Sequence, residues 1–177
     1  MTISNTLIVD DFLDNPDNYV KETLDKPFVD IPDATRVFKG IQMVEDEEVE
    51  SKLNRLLVNY NVVNNFIRQS PKNQEEPNYI HSDRNECDLI AILYLNKRHP
   101  KRAGTTIYEN GGGSIVDFGK EDRDKDFKPS IDLKMKYNRL VAFPADLYHS
   151  RNIKENFGKN DKSRLAQVVF LKNKNKD

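Results

Sequence analysis

The sequence predicts a mainly β protein, a jelly-roll or barrel with supporting N-terminal helices. The prediction rests on two observations. Residues up to about 61 hold two helical segments; from Val62 to Leu171 the chain turns to short runs rich in Val, Ile, Leu, Phe and Tyr, separated by Asn, Gly, Pro and Lys. A doubly wound sheet would alternate helices with strands, whereas here the helices come first and the strands follow. The chain has 177 residues and no Gly/Ser- or Pro-rich linker, so one domain is expected, with helical support over 1–61 and a β core over 62–171.

The opening TLIVDDFLDNPDNYVKETL reads as a strand at 6–9 and then a helix, with Asp14 or Asn15 as N-cap and Pro16 in the first helical position. A second helix is expected over about 45–59. There Val49, Leu53, Leu56, Leu57 and Tyr60 recur at helical spacing, and the acidic run EDEE suits the positive end of the helix dipole. Both helices should pack against a sheet. Strands are expected near 62–69, 78–83, 88–95, 104–108, 113–118, 131–136, 139–143, 147–152 and 164–171. GKEDRDKDFKP (119–129) is nearly all charged and reads as a mobile loop, either a lid or a solvated insertion; KENFGKNDKS (154–163) reads as a second loop.

Lys and Arg total 28 against 29 Asp and Glu, so the net charge of -1 offers no general attraction to nucleic acid or anionic membranes. The longest apolar run, LIAILYL at 89–95, is too short to span a bilayer, and no basic-then-apolar leader opens the chain. A cytoplasmic protein is the default expectation. The single cysteine, Cys87, excludes an internal disulfide framework and multi-cysteine metal sites.

With only three histidines, His81, His99 and His149, the neighbours of each are informative. In NYIHSD, His81 and Asp83 stand two residues apart, so on a strand both side chains point to one face. His149, in ADLYHSRN, follows the apolar run LVAFP and can supply a third ligand. Two neutral imidazoles and one carboxylate form the facial triad of non-haem iron(II) oxygenases, which leaves coordination positions open. Glu109, Asp88 and Asp146 are alternative carboxylates, but none combines two-residue spacing with a strand position. His99 lies between basic residues in NKRHPKRAG, where an exposed side chain is expected.

An H-x-D pair alone is a weak signal; its company is stronger. IHSD, LYLN, AGTTIY, NRLVAFP, a histidine and RLAQVVFL follow one another over about Asn78–Leu171. In that order the chain resembles the 2-oxoglutarate/iron(II) dioxygenase superfamily, and within it the prolyl-hydroxylase-like branch. The resemblance implies a double-stranded β-helix and Fe(II) bound by His81, Asp83 and His149. It also implies 2-oxoglutarate and O2 as co-substrates, and Arg164 paired with the distal carboxylate of 2-oxoglutarate. Physics supports the last role, because arginine's planar fork holds a carboxylate through two parallel hydrogen bonds, and Arg164 shares a strand face with Ala166, Val168 and Phe170.

The chain departs from the family in two places. Arg164 follows His149 by 15 residues, a longer gap than usual, which leaves Arg151 as a rival anion binder. Leu93 stands where the resemblance implies a tyrosine that helps hold the co-substrate. Thr106, read as inward-facing, and Tyr79, on the face of His81, are candidate replacements. The expected chemistry is hydroxylation or another oxidation of a protein or peptide side chain or a small molecule, with release of succinate and CO2. Asp83 fills the position that halogenating relatives leave to a small residue. The alternatives are a non-catalytic metal- or ligand-binding β-barrel and a cupin-like metal enzyme that needs no 2-oxoglutarate.

Overall fold

A computed structural model describes residues 6–33, 37–45, 47–75, 80–110, 127–153 and 155–175. The elements in chain order are β1 (Leu7–Val9), α1 (Pro16–Leu24), β2 (Val29–Pro32), β3 (Val37–Met43), α2 (Glu47–Leu56), β4 (Tyr60–Ser70), β5 (Leu89–Tyr94), β6 (Gly104–Asn110), β7 (Phe127–Lys134), β8 (Arg139–Pro144), β9 (Tyr148–Arg151) and β10 (Arg164–Asn173). Helix α1 starts as the sequence predicts. Asn15 is its N-cap, accepting the Asn18 N–H at 3.3 Å, and Pro16 opens its first turn, where a missing N–H is harmless.

Two antiparallel sheets form the body. The larger has the order β1-β8-β5-β10-β4-β3-β2 and the smaller the order β7-β6-β9. His81 extends the smaller sheet at the outer edge of β9 through an antiparallel bridge to His149. This jelly-roll architecture is the predicted fold class. The larger sheet is covered on both faces. On one, α1 and α2 contribute Tyr19, Val49 and Leu53 against Leu89, Ala91, Leu93, Leu140, Leu165 and Val169. On the other, Ile90, Ile92, Tyr94, Val141, Phe143 and Ala166 meet Ile107 and Leu133 of the smaller sheet. Every residue of β5 is therefore buried, which explains why LIAILYL is continuously apolar rather than alternating.

Polar groups lock the N-terminal segment to this body. Asn138, at φ 59° in the turn between β7 and β8, accepts the Leu13 N–H at 2.8 Å and donates to the Leu13 carbonyl at 3.0 Å. Asn138→Ala leaves two buried backbone groups without partners, each worth about 1–3 kcal/mol. A loss of about 2–4 kcal/mol in urea denaturation is expected, and a loss below about 0.5 kcal/mol would show that the amide bridge is replaceable.

The structure differs from the sequence prediction in some places and leaves others untested. Strands β2 and β3 were not anticipated, because prolines at 27 and 32 interrupt the pattern; Pro32 is tolerated on β2, which is an edge strand. The expected strand over 78–83 is only a single bridge at His81 among its described residues. The expected strand at 113–118 lies outside the described residues. So does most of the charged segment 119–129, whose last three residues, 127–129, begin β7. The segment 155–163 is irregular as expected, with one 3-10 turn at Asn160–Lys162.

Candidate metal centre

Strand alternation sets the site. On β9, His149 and Arg151 point inward, while Tyr148 and Ser150 point to the outer face, where Ser150 Oγ lies 3.0 Å from Tyr108 Oη. His81 and His149 exchange main-chain hydrogen bonds of 3.1 and 2.8 Å, which brings their rings side by side with centroids 4.4 Å apart. Asp83 is fixed through its main chain. Its N–H donates to the Ala145 carbonyl at 2.9 Å, and its own carbonyl accepts the Glu86 and Cys87 N–H groups at 2.9 and 3.1 Å. These main-chain bonds fix the stretch of chain that carries the carboxylate.

The three side chains converge. His81 Nε2 lies 3.7 Å from Asp83 Oδ1, His149 Nε2 lies 3.5 Å from Asp83 Oδ2, and one donor atom from each residue falls within 4.8 Å of the others. Metal–donor bonds of about 2.1 Å meeting at right angles would separate neighbouring donors by about 3 Å, so a small inward movement completes a facial set. His149 Nδ1 donates to the Leu147 carbonyl at 3.0 Å, which leaves the Nε2 lone pair facing the carboxylate. Its ring is 7% exposed and packs edge-on to Phe143 at 5.0 Å, whereas His81 and Asp83 keep 29% and 18% exposure. One side of the cluster is therefore walled by protein and the other is open. Two imidazole nitrogens and one carboxylate so arranged fit iron(II).

The other candidates are placed as follows. Arg164 opens β10 opposite Ser70 and shares the inward face with Ala166. Arg151 faces inward on β9, and its Nη1 donates to Asn156 Oδ1 at 2.5 Å. The inward position expected for Thr106 is corrected. Thr105 and Ile107 are the buried inward residues of β6, so Thr106 faces outward, where its hydroxyl donates to Asn152 Oδ1 at 2.8 Å. Tyr79 lies outside the described residues.

Leu93 faces the helices, so it does not stand in a co-substrate position at all. The inward aromatic group is Tyr94, whose hydroxyl is 2.9 Å from Thr105 Oγ1. Burial pushes the Tyr94 phenol up to about 12, against the opposing pull of the Thr105 hydrogen bond and the Arg164 charge. It is therefore a neutral donor near neutral pH. Tyr94 was missed because the sequence alone left the strand's facing one residue out of phase.

Asp88 Oδ2 accepts the Asn173 N–H at 2.9 Å, Glu109 accepts from Ser130 Oγ at 3.3 Å, and neither joins the cluster; nor does Asp146. His99 Nδ1 sits 3.1 Å from the Pro100 carbonyl, away from the cluster. Cys87 is buried, and burial first, then the Asp83 charge, pushes its thiol up to about 12, which disfavours the thiolate.

No protein-family model and no curated protein matches this sequence. Solved structures do share its fold. AviO1 from Streptomyces viridochromogenes Tue57 superposes with a TM-score of 0.60 at 10% identity, covering 98% of this chain and 91% of that one. The non-haem α-ketoglutarate-dependent epimerase SnoN from nogalamycin biosynthesis gives 0.61 at 12% identity, covering 97% and 77%. SnoN is also known in complex with Fe3+, α-ketoglutarate and nogalamycin RO. An oxidoreductase of the 2OG-Fe(II) oxygenase family from Burkholderia pseudomallei gives 0.53 at 11% identity, covering 96% and 88%. At these identities the likeness is one of fold.

Proposed function

We propose that the protein is an Fe(II)- and 2-oxoglutarate-dependent dioxygenase. The observation that carries this reading is the convergence of His81, Asp83 and His149 inside a jelly-roll that also directs Arg164 inward. Iron and 2-oxoglutarate, when bound, supply oxidative decarboxylation of the co-substrate to succinate and CO2, coupled to oxidation of a substrate C–H bond by O2.

The chain's own residues do the rest. The two imidazoles and the Asp83 carboxylate would hold the metal, with three donors that leave room for further ligands. The Arg164 guanidinium takes the distal carboxylate in a charge-assisted pair, and the neutral Tyr94 hydroxyl is the candidate second donor. Ile90, Ile92, Val141 and Phe143 line the interior and exclude water, which strengthens both interactions. Asp83 keeps a carboxylate where a halide would otherwise enter, so the proposed outcome is hydroxylation or another oxidation.

The SnoN complex supports this choice of cofactors, since the same fold holds iron and α-ketoglutarate there. The order of sequence motifs favours the prolyl-hydroxylase-like branch, and with it a protein or peptide side chain or a small molecule as substrate rather than nucleic acid or a membrane. Among the described residues no helix is long and apolar enough to cross a membrane. The proposed compartment is the cytoplasm, on the strength of a lone, buried thiol.

The test is succinate release from 2-oxoglutarate by the iron-loaded protein across a panel of peptides and small metabolites. Succinate above the level of Asp83→Ala is expected, at least as slow turnover without substrate. Equal succinate from both proteins with every compound would exclude the activity.

A further inference from the structure

We propose that Asn96 is a positioning residue for the co-substrate anion: its amide clamps the peptide groups on both sides of Arg164 and so fixes where the guanidinium stands. The proposal deepens the reading of Arg164 as the carboxylate anchor and rests on it. Asn96 is 6% exposed, just beyond the end of β5. Its Oδ1 accepts the Leu165 N–H at 2.7 Å, and its Nδ2 donates to the Ser163 carbonyl at 2.8 Å. Ser163 and Leu165 are both buried, at 1% exposure each.

The ladder explains why a clamp is needed there. On its β4 side, β10 is paired from Arg164 onward, but on its β5 side register begins only at Ala166, opposite Tyr94. Beyond that pair, the Leu95 N–H reaches the Leu165 carbonyl at 3.2 Å, and the Asn96 side chain then takes the place of a further strand residue. The loop leading into β10 adds one bond, from the Arg164 N–H to the Phe157 carbonyl at 3.0 Å. Arg164 thus sits where an irregular segment becomes strand, and on the β5 side the strand's start is held by one main-chain bond and the Asn96 side chain.

Only an amide of this length does both tasks. Asparagine supplies one acceptor and two donors, aspartate supplies acceptors alone, and alanine supplies neither. Without the clamp, the first residues of β10 lose two bonds on the β5 side and keep the one from the Leu95 N–H, and the guanidinium samples positions off the carboxylate; placement within about 0.5 Å is what a binding constellation requires.

The experiment uses the full chain loaded with Mn(II). 2-Oxoglutarate is titrated by calorimetry into wild type, Asn96→Ala, Asn96→Asp, Arg164→Ala and the Asn96→Ala/Arg164→Ala double variant, with metal affinity and thermal unfolding measured in parallel. Asn96→Ala is expected to weaken 2-oxoglutarate about 10-fold, with metal affinity unchanged within about twofold, and to add nothing in the Arg164→Ala background. Asn96→Asp, which keeps the acceptor for Leu165, should fall between wild type and alanine and serves if the alanine variant does not fold. A lowered unfolding temperature with 2-oxoglutarate affinity intact, or an equal loss in the Arg164→Ala background, overturns the proposal and leaves Asn96 a structural residue. Unchanged affinity in Arg164→Ala itself overturns the anchor reading instead, and the proposal falls with it.

Discussion

Alanine in place of His81, Asp83 or His149 is expected to lower iron(II) affinity by more than about 100-fold and to stop succinate release. Partners that merely orient a metal ligand are worth about 10–100-fold in affinity, so removing a ligand itself costs more. The three substitutions differ in their side effects. His149 is buried against Phe143, and its loss leaves a cavity that lowers stability as well. Asp83 holds its turn through main-chain atoms, so Asp83→Ala leaves the bonds to Ala145, Glu86 and Cys87 in place and is the cleanest probe. Iron content after anaerobic loading, together with the weak visible charge-transfer absorption expected on adding 2-oxoglutarate, measures the effect. Wild-type iron content and turnover in all three variants would place the metal elsewhere.

Arg164→Ala is expected to weaken 2-oxoglutarate by about 30-fold or more, the equivalent of about 2–5 kcal/mol for a charge-assisted pair lost from a partly dry site, while iron binding persists. Arg151→Ala should have the smaller effect. Arg151 also faces inward, two residues beyond His149, but its guanidinium donates to the buried Asn156, whose amide in turn donates to the Gln74 carbonyl at 3.1 Å. That chain gives Arg151 a role in tying the segment after β9 to the turn that follows β4. Titration of both variants with 2-oxoglutarate decides between them, and the reverse ranking would transfer the anchor to Arg151.

What could be read from the sequence follows from how local each signal is. The His81 and Asp83 pairing needed only a spacing of two, and the structure keeps them close although the segment is a bridge rather than a strand. The strands of the core were legible from composition, because β5 and β8 bury most of their length and β10 half of it. Facing was not. Whether Leu93 or Tyr94, and Thr105 or Thr106, points inward depends on register with neighbouring strands, and one residue of phase inverts the answer. Strands β2 and β3 were hidden for a different reason: prolines at 27 and 32 interrupt the pattern, and β2, at the sheet edge, is mostly exposed, so apolar patterning hardly marks it. The bonds of Asn96 were not legible at all, since its partners lie far along the chain.

The bridge between His81 and His149 has a thermodynamic consequence. The segment carrying His81 and Asp83 is joined by main-chain bonds to His149 of the smaller sheet and to Ala145, just after β8. An ion that binds both imidazoles is a cross-link between two distant stretches of chain, and it favours the closed arrangement in proportion to its affinity. At a free ion concentration of 100 times the dissociation constant, such linkage adds about 2.7 kcal/mol to the closed form. Such an ion would be a part of the sheet's edge as well as a reagent.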